Sequence, residues 1–129
     1  MASGWIWIAT EVALAAHAEQ LAEHGGGEGI RDAGLLESAM ARPLNLIAYG
    51  EPDIADLAAS YAFGIARNHP FVDGNKRAAL VVSETFLVLN GHLLDCDDVE
   101  LVTTFLALAA GELTVDALAA WFRMHVARA

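Results

Sequence analysis

Residues 69–80 read His-Pro-Phe-Val-Asp-Gly-Asn-Lys-Arg-Ala-Ala-Leu, a polar loop that runs directly into an apolar stretch. The loop combines an imidazole, a carboxylate, a turn-forming Gly-Asn pair and two adjacent cations. The apolar residues after it predict a helix that begins near Asn75. Because the first N–H groups of a helix lack partners and the helix dipole favours negative charge there, we expect the loop to bind an anion.

The two cations of the loop strengthen this expectation. Lys76 and Arg77 lie at the predicted start of the helix. A positive charge there opposes the helix dipole by about 0.3–1 kcal/mol. A purely structural cap would place Asp or Glu at these positions, so the cations indicate that an anion binds between them.

The other polar residues of the loop indicate a reaction at that anion. Histidine changes its charge near neutral pH, so His69 can accept a proton from a hydroxyl group. Asp73 is a hard oxygen ligand that suits Mg²⁺. Gly74 allows a ligand to approach the backbone, and Asn75 can donate a hydrogen bond to a phosphate oxygen. A base, a metal-binding carboxylate and an anion cradle together predict phosphoryl or nucleotidyl transfer.

Composition predicts the fold class, and the distribution of charge indicates the size of the anion. The chain has 129 residues, 56% of them hydrophobic and rich in the helix formers Ala and Leu, which predicts one all-α domain over residues 1–129. Its net charge of −10 argues against binding to nucleic acid or to an anionic membrane. Residues 67–77 carry 3 − 1 = +2 and the remainder 4 − 16 = −12, so we expect a small, local anion. The single cysteine, Cys96, and the lack of a long apolar span predict a soluble cytoplasmic protein.

Apolar periodicity and capping residues predict about six helices. The second helix should stop at Pro43, and Leu44–Gly50 should form a short flap before the third helix. Gly25–Gly29 is expected to be a flexible helix cap and turn. The predicted helices run from the cap Thr10 to about His24, from about Gly34 to Ala41, from the cap Asp53 to about Asn68, from about Asn75 to Asn90, from the cap Asp97 to about Ala110, and from the cap Thr114 to about Arg128.

The loop resembles the signature of the Fic/Doc superfamily, His-Pro-Phe-x-Asp/Glu-Gly-Asn-Gly-Arg-x-x-Arg. Lys76 replaces the second glycine of that signature, and Leu80 replaces its last arginine. Both departures are features of the Doc branch, the death-on-curing toxins of toxin–antitoxin modules. Residues 29–43 and the opening helix with His17 also resemble Doc-type sequence, so the similarity covers about residues 5–125.

The resemblance implies a compact bundle of about six helices, with the flap between helices 2 and 3 positioning the target. Doc-type proteins are kinases that transfer the γ-phosphate of ATP to a threonine of elongation factor Tu, which arrests translation. A Phd-like antitoxin neutralises them with a disordered C-terminal segment that folds into a groove. ATP and Mg²⁺ are therefore the expected cofactors. Carried over to this chain, the catalytic residues are His69 as base, Asp73 as Mg²⁺ ligand and Lys76, and the phosphate-binding residues are Gly74, Asn75, Lys76, Arg77 and Arg67.

Two other functions stay open on sequence alone. The first is Fic-like transfer of AMP to a protein hydroxyl, against which Lys76 and Leu80 argue. The second is a catalytically decayed scaffold that binds an antitoxin, against which the intact His69, Asp73 and Asn75 argue. For Arg67, a phosphate contact and a structural role as a cation at a helix C-terminus are both open.

Overall fold

The computed structural model describes residues 4–129, which form six helices and a two-stranded antiparallel sheet. The predicted all-α class and the number of helices are confirmed. None of the helices in residues 4–129 has both the length and the apolar character needed to cross a membrane. The elements are α1 (Thr10–His24), α2 (Ala33–Tyr49), α3 (Ile54–Asn68), α4 (Asn75–Leu89), β1 (His92–Leu94), α5 (Asp98–Ala109), α6 (Val115–His125) and β2 (Val126–Arg128).

Helix α3 lies at the centre of the fold and packs against α2, α4 and α6. Nine of its 15 residues are buried, on more than one face of the helix. Small side chains permit this close packing. A Cβ atom on Gly64, for example, would lie 2.8 Å from Cδ of Arg42 and 3.2 Å from Cα of Ala39 in α2. Because α3 is enclosed on several sides, its C-terminal end is held in a defined place.

The predicted flap is wrong, because α2 continues through Pro43 to Tyr49. Residues 44–49 are helical, and only residues 50–53 link α2 to α3. Proline in a helix interior costs about 3 kcal/mol through a lost hydrogen bond and a steric clash. The buried face of α2 contains Leu36, Ala39, Met40 and Pro43. Tertiary burial of that face offsets the local cost, which periodicity alone does not reveal.

The predicted caps agree with the structure except at α1. Asp53, Asp97 and Thr114 each accept a hydrogen bond from a backbone N–H three residues later. Thr10 is the first residue of α1 and not its cap, since the N-cap is Ala9. Helix α6 ends at His125, earlier than predicted, because residues 126–128 pair with β1.

Ion pairs tie the start of α3 to α6. Arg123 Nε lies 2.7 Å from Oδ2 of Asp53, and an Nη atom of Arg123 lies 2.8 Å from Oδ1 of Asp56. The hydrogen bond from Arg123 lowers the pKa of Asp53 to about 2. Asp53 is therefore ionised at neutral pH, and the end of α3 far from the loop is anchored to another helix.

Candidate functional site

The loop begins where α3 ends, at a residue with an unusual backbone. His69 has φ 52° and ψ 54°, the left-handed conformation, and its N–H donates to the carbonyl of Ile65 at 3.1 Å. This conformation turns the chain sharply away from the helix and is uncommon for a residue other than glycine. The imidazole is consequently presented at the end of α3, at the entrance to the loop.

Arg31 holds this helix end in place. Its Nε donates to the carbonyl of His69 at 2.6 Å, and an Nη donates to the carbonyl of Asn68 at 2.8 Å. A cation that bonds the last carbonyls of a helix also complements the dipole. The sequence did not predict this contact with the end of α3, because Arg31 lies 38 residues before His69.

Asn75 braces the loop from inside. Its Oδ1 accepts from the N–H of Phe71, and its Nδ2 donates to the carbonyl of Phe71, both at 3.0 Å. Phe71 is completely buried and Asn75 is buried as well. The phosphate contact by the Asn75 side chain stays a prediction, while the structure gives its amide a bracing role.

A cavity of about 370 Å³ opens at the junction of the loop with α4. Its volume is in the range of small-molecule sites. The structure thus brings together all the site residues predicted from the loop. The cavity is lined by Ala66, His69, Asp73, Gly74, Asn75, Lys76, Arg77, Leu106 and Ala109.

Arg67 is the one predicted site residue that does not line this cavity. Its guanidinium carbon lies 5.3 Å from the centre of the Phe63 ring, one helical turn earlier. Arg42 of α2 approaches the same ring at 5.4 Å. The position of Arg67 in the last turn of α3 agrees with the structural alternative, in which a cation complements the helix dipole.

The start of α4 offers free donors to the cavity. Gly74 is the N-cap, with φ 77° and no side-chain cap, and the first bond of the helix runs from Ala78 N–H to the carbonyl of Gly74 at 2.9 Å. The N–H groups of the first three helical residues therefore have no partner within the helix. Lys76 and Arg77 lie at this end of the helix. Free donors, the dipole and two cations make the site suited to a phosphate group.

Asp73 is oriented by two backbone groups. Its Oδ1 accepts from the N–H of Gly74 at 2.8 Å, and its Oδ2 lies 3.4 Å from the N–H of Gly27. Lone pairs on both oxygens stay available to a cation. Within residues 4–129, no group of three or more His, Cys, Asp or Glu side chains is arranged to hold a metal. The single carboxylate of Asp73 has the hard oxygen donors that suit Mg²⁺ when water and phosphate oxygens complete its coordination.

Residues 26–32 lie along the loop, a contact that the sequence did not predict. The N–H groups of Arg31 and Asp32 donate to the carbonyl of Pro70, and Val72 N–H donates to the carbonyl of Gly29 at 3.1 Å. Ile30 forms an antiparallel bridge with Phe71. The glycine run ends α1, as predicted, and it also contacts the carboxylate of Asp73. Four glycines in five positions were a signal for such a close backbone approach.

Replacement of Asn75 by alanine tests the brace. The substitution leaves the buried N–H and carbonyl of Phe71 unpaired, and each unpaired buried group costs about 1–3 kcal/mol. We expect the free energy of unfolding, measured in urea, to fall by roughly 2–6 kcal/mol, the sum for the two groups. Asn75→Asp keeps an acceptor for the N–H of Phe71 but sets a buried carboxylate oxygen against the carbonyl of Phe71, so it should lose at least as much. A change below about 0.5 kcal/mol for Asn75→Ala would show that water replaces both bonds.

Comparisons with known proteins agree with the loop. The model of the Fic/DOC family matches residues 7–87. Over 113 residues the chain is 34% identical to "Protein kinase doc" of Escherichia phage P1, covering 87% of this chain and 89% of that protein. It is 46% identical over 76 residues to "Toxin Doc" of Mycolicibacterium smegmatis (strain ATCC 700084 / mc(2)155), covering 57% of this chain and 58% of that protein, less than two thirds of its length.

Proposed function

This chain belongs to the Fic/DOC family, and from that premise we propose that it is a Doc-type toxin with protein kinase activity. It transfers the γ-phosphate of ATP to a Ser or Thr hydroxyl of a translation factor, with elongation factor Tu as the target. The observation that carries the proposal is the cavity in which His69, Asp73 and Lys76 meet at the free N-terminus of α4.

Each polar side chain of the cavity has a separate role in the proposed transfer. His69 takes the proton of the target hydroxyl as its oxygen attacks the γ-phosphorus, and ADP leaves. The start of α4, with Lys76 and Arg77, holds the phosphate oxygens. Asp73 holds Mg²⁺, which neutralises phosphate charge when it is bound. The catalytic power comes mainly from positioning and charge neutralisation.

Lys76 supports phosphoryl transfer over AMP transfer. It is the second residue of α4, where the Fic signature has glycine, and its partly buried side chain lines the cavity. A long cationic side chain here narrows the space that glycine leaves for phosphates. The nucleotide therefore binds with its γ-phosphate, and not its α-phosphate, next to His69.

A Phd-like antitoxin is the proposed partner. Its C-terminal segment binds in a groove of the toxin and keeps it inactive. Exposed apolar side chains on α5, at Val99, Val102 and Leu106, support a partner, because contiguous apolar surface often marks an interaction site. Because the proposed target is a translation factor, we propose that the reaction takes place in the cytoplasm.

Position-specific labelling of ATP tests the reaction. Purified protein, Mg²⁺ and elongation factor Tu are incubated with ATP labelled at the α- or the γ-phosphate. We expect label on the target only from the γ position, because Lys76 sets which phosphate faces His69. Label from the α position would establish AMP transfer. No label from either position would favour the remaining alternative, a catalytically decayed scaffold that binds an antitoxin. Denatured elongation factor Tu serves as the control for non-specific labelling.

A further inference from the structure

A histidine outside the loop contacts the backbone of Asp73, the proposed metal ligand. His17 belongs to α1 and is only 5% exposed. Its Nε2 lies 2.7 Å from the backbone carbonyl oxygen of Asp73, 56 residues away in sequence. A carbonyl oxygen only accepts hydrogen bonds, so Nε2 carries the hydrogen and donates it.

The imidazole is also fixed by an aromatic ring. Its centre lies 3.8 Å from that of Phe71, and the two rings are within 6° of parallel. Phe71 is in turn held at both its N–H and its carbonyl by the side chain of Asn75. The donor nitrogen of His17 is therefore held in one direction relative to the loop.

Fixing the carbonyl of Asp73 also fixes its carboxylate. The carbonyl of Asp73 and the N–H of Gly74 belong to one planar peptide group, so the orientation of one sets that of the other. That N–H is the group that donates to Oδ1 of Asp73 at 2.8 Å. The chain of contacts runs from His17 to the peptide group and from the peptide group to the carboxylate.

We propose that His17 is a positioning residue that orients the Asp73 carboxylate toward Mg²⁺. The proposal rests on the proposed function for the role of Asp73. Packing alone does not require an imidazole, since a phenyl ring would also stack on Phe71 without the cost of burying a polar group. Partners that orient a metal-binding carboxylate typically change metal affinity 10- to 100-fold when they are lost.

Two variants separate the hydrogen bond from the packing. His17→Phe keeps a flat ring on Phe71 but loses the donor. His17→Gln keeps a donor near the position of Nε2 but loses the stacked ring. We expect His17→Phe to raise the Mg²⁺ concentration for half-maximal transfer by about 10- to 100-fold, and His17→Gln to restore it close to wild type. A merely structural role would lower both activities in step with the melting temperature and leave the Mg²⁺ dependence unchanged.

Two measurements test the role of His17 without requiring phosphoryl transfer. Hydrogen exchange of the Gly74 amide, followed by NMR, should become faster in His17→Phe and not in His17→Gln. Mn²⁺ binding in the presence of a non-hydrolysable ATP analogue, followed by electron paramagnetic resonance, should weaken in the same variant. If wild type transfers no phosphate, the proposed function fails, while these two readouts still decide the role of His17.

Either of two results would overturn the proposal. One is that His17→Phe keeps the wild-type Gly74 exchange and metal binding. The other is that His17→Gln loses as much metal binding as His17→Phe, because the donor would then be irrelevant. If His17→Phe does not fold, His17→Leu takes its place in the same comparison.

Discussion

Replacing His69 by alanine should lower the rate of phosphoryl transfer about 100- to 10,000-fold, the usual contribution of a positioned general base. His69 is exposed and lines the cavity with Asp73 and Lys76, so no other side chain needs to rearrange when it is removed. In cells, expression of the wild-type chain without a partner should arrest growth, and His69→Ala should relieve the arrest. Transfer rates with labelled ATP and growth after induction measure the two effects.

The left-handed backbone of His69 calls for a second substitution. Any residue with a Cβ atom carries a strain of about 1–2 kcal/mol at this positive φ, and alanine has no polar side chain to offset it by a local hydrogen bond. Asparagine tolerates this conformation better, so His69→Asn removes the base with less strain. His24→Ala, which removes an exposed histidine at the end of α1, is the matched surface control and should retain full activity. The role of His69 as base is rejected if His69→Asn keeps more than about a tenth of the wild-type rate.

Alanine at Gly26 should reduce transfer by about 100-fold, the penalty that a displacement of about 1 Å imposes on a reacting group. A Cβ atom at Gly26 would lie 2.8 Å from Oδ2 of Asp73, closer than Cβ atoms approach other atoms in real structures, and a tight 3.3 Å from its Cγ. The carboxylate must then turn away, or residues 26–32 must lift from the loop. Both changes disturb the oxygen ligand of Mg²⁺, so the Mg²⁺ dependence should shift together with the rate.

Gly29 offers a matched control for this substitution. It lies in the same segment with φ 104°, against 123° at Gly26, so alanine strains the backbone at both positions. A Cβ atom at Gly29 has nothing within 4 Å, and only Gly26 adds the clash with Asp73. The melting temperatures of Gly26→Ala and Gly29→Ala should be similar, while only Gly26→Ala loses activity. Equal losses of activity in the two variants would attribute the effect to backbone strain.

Local chemistry explains what was predictable from the sequence. The residues from His69 to Arg77 lie close together because they form one short turn that runs into a helix start, and the surrounding helices only complete the cavity that they line. A helix cap bonds a backbone group only three residues away, so Asp53, Asp97 and Thr114 correctly predicted where their helices begin. These interactions depend on spacing along the chain, and the linear sequence contains that spacing.

The missed features all depend on distant parts of the chain. Helix α2 continues through Pro43 because tertiary burial outweighs a local penalty, so the predicted flap does not form. The support of the loop comes instead from Arg31, 38 residues before His69, and from His17, 56 residues before Asp73. Their side chains bond to backbone carbonyls, which every residue carries, so no pattern of residue types reveals such a pair. The sequence by itself determined which groups meet at the start of α4. The tertiary structure decided what holds them in place, because the packing of α1 against α4 and of residues 29–32 against the loop brings those partners to it.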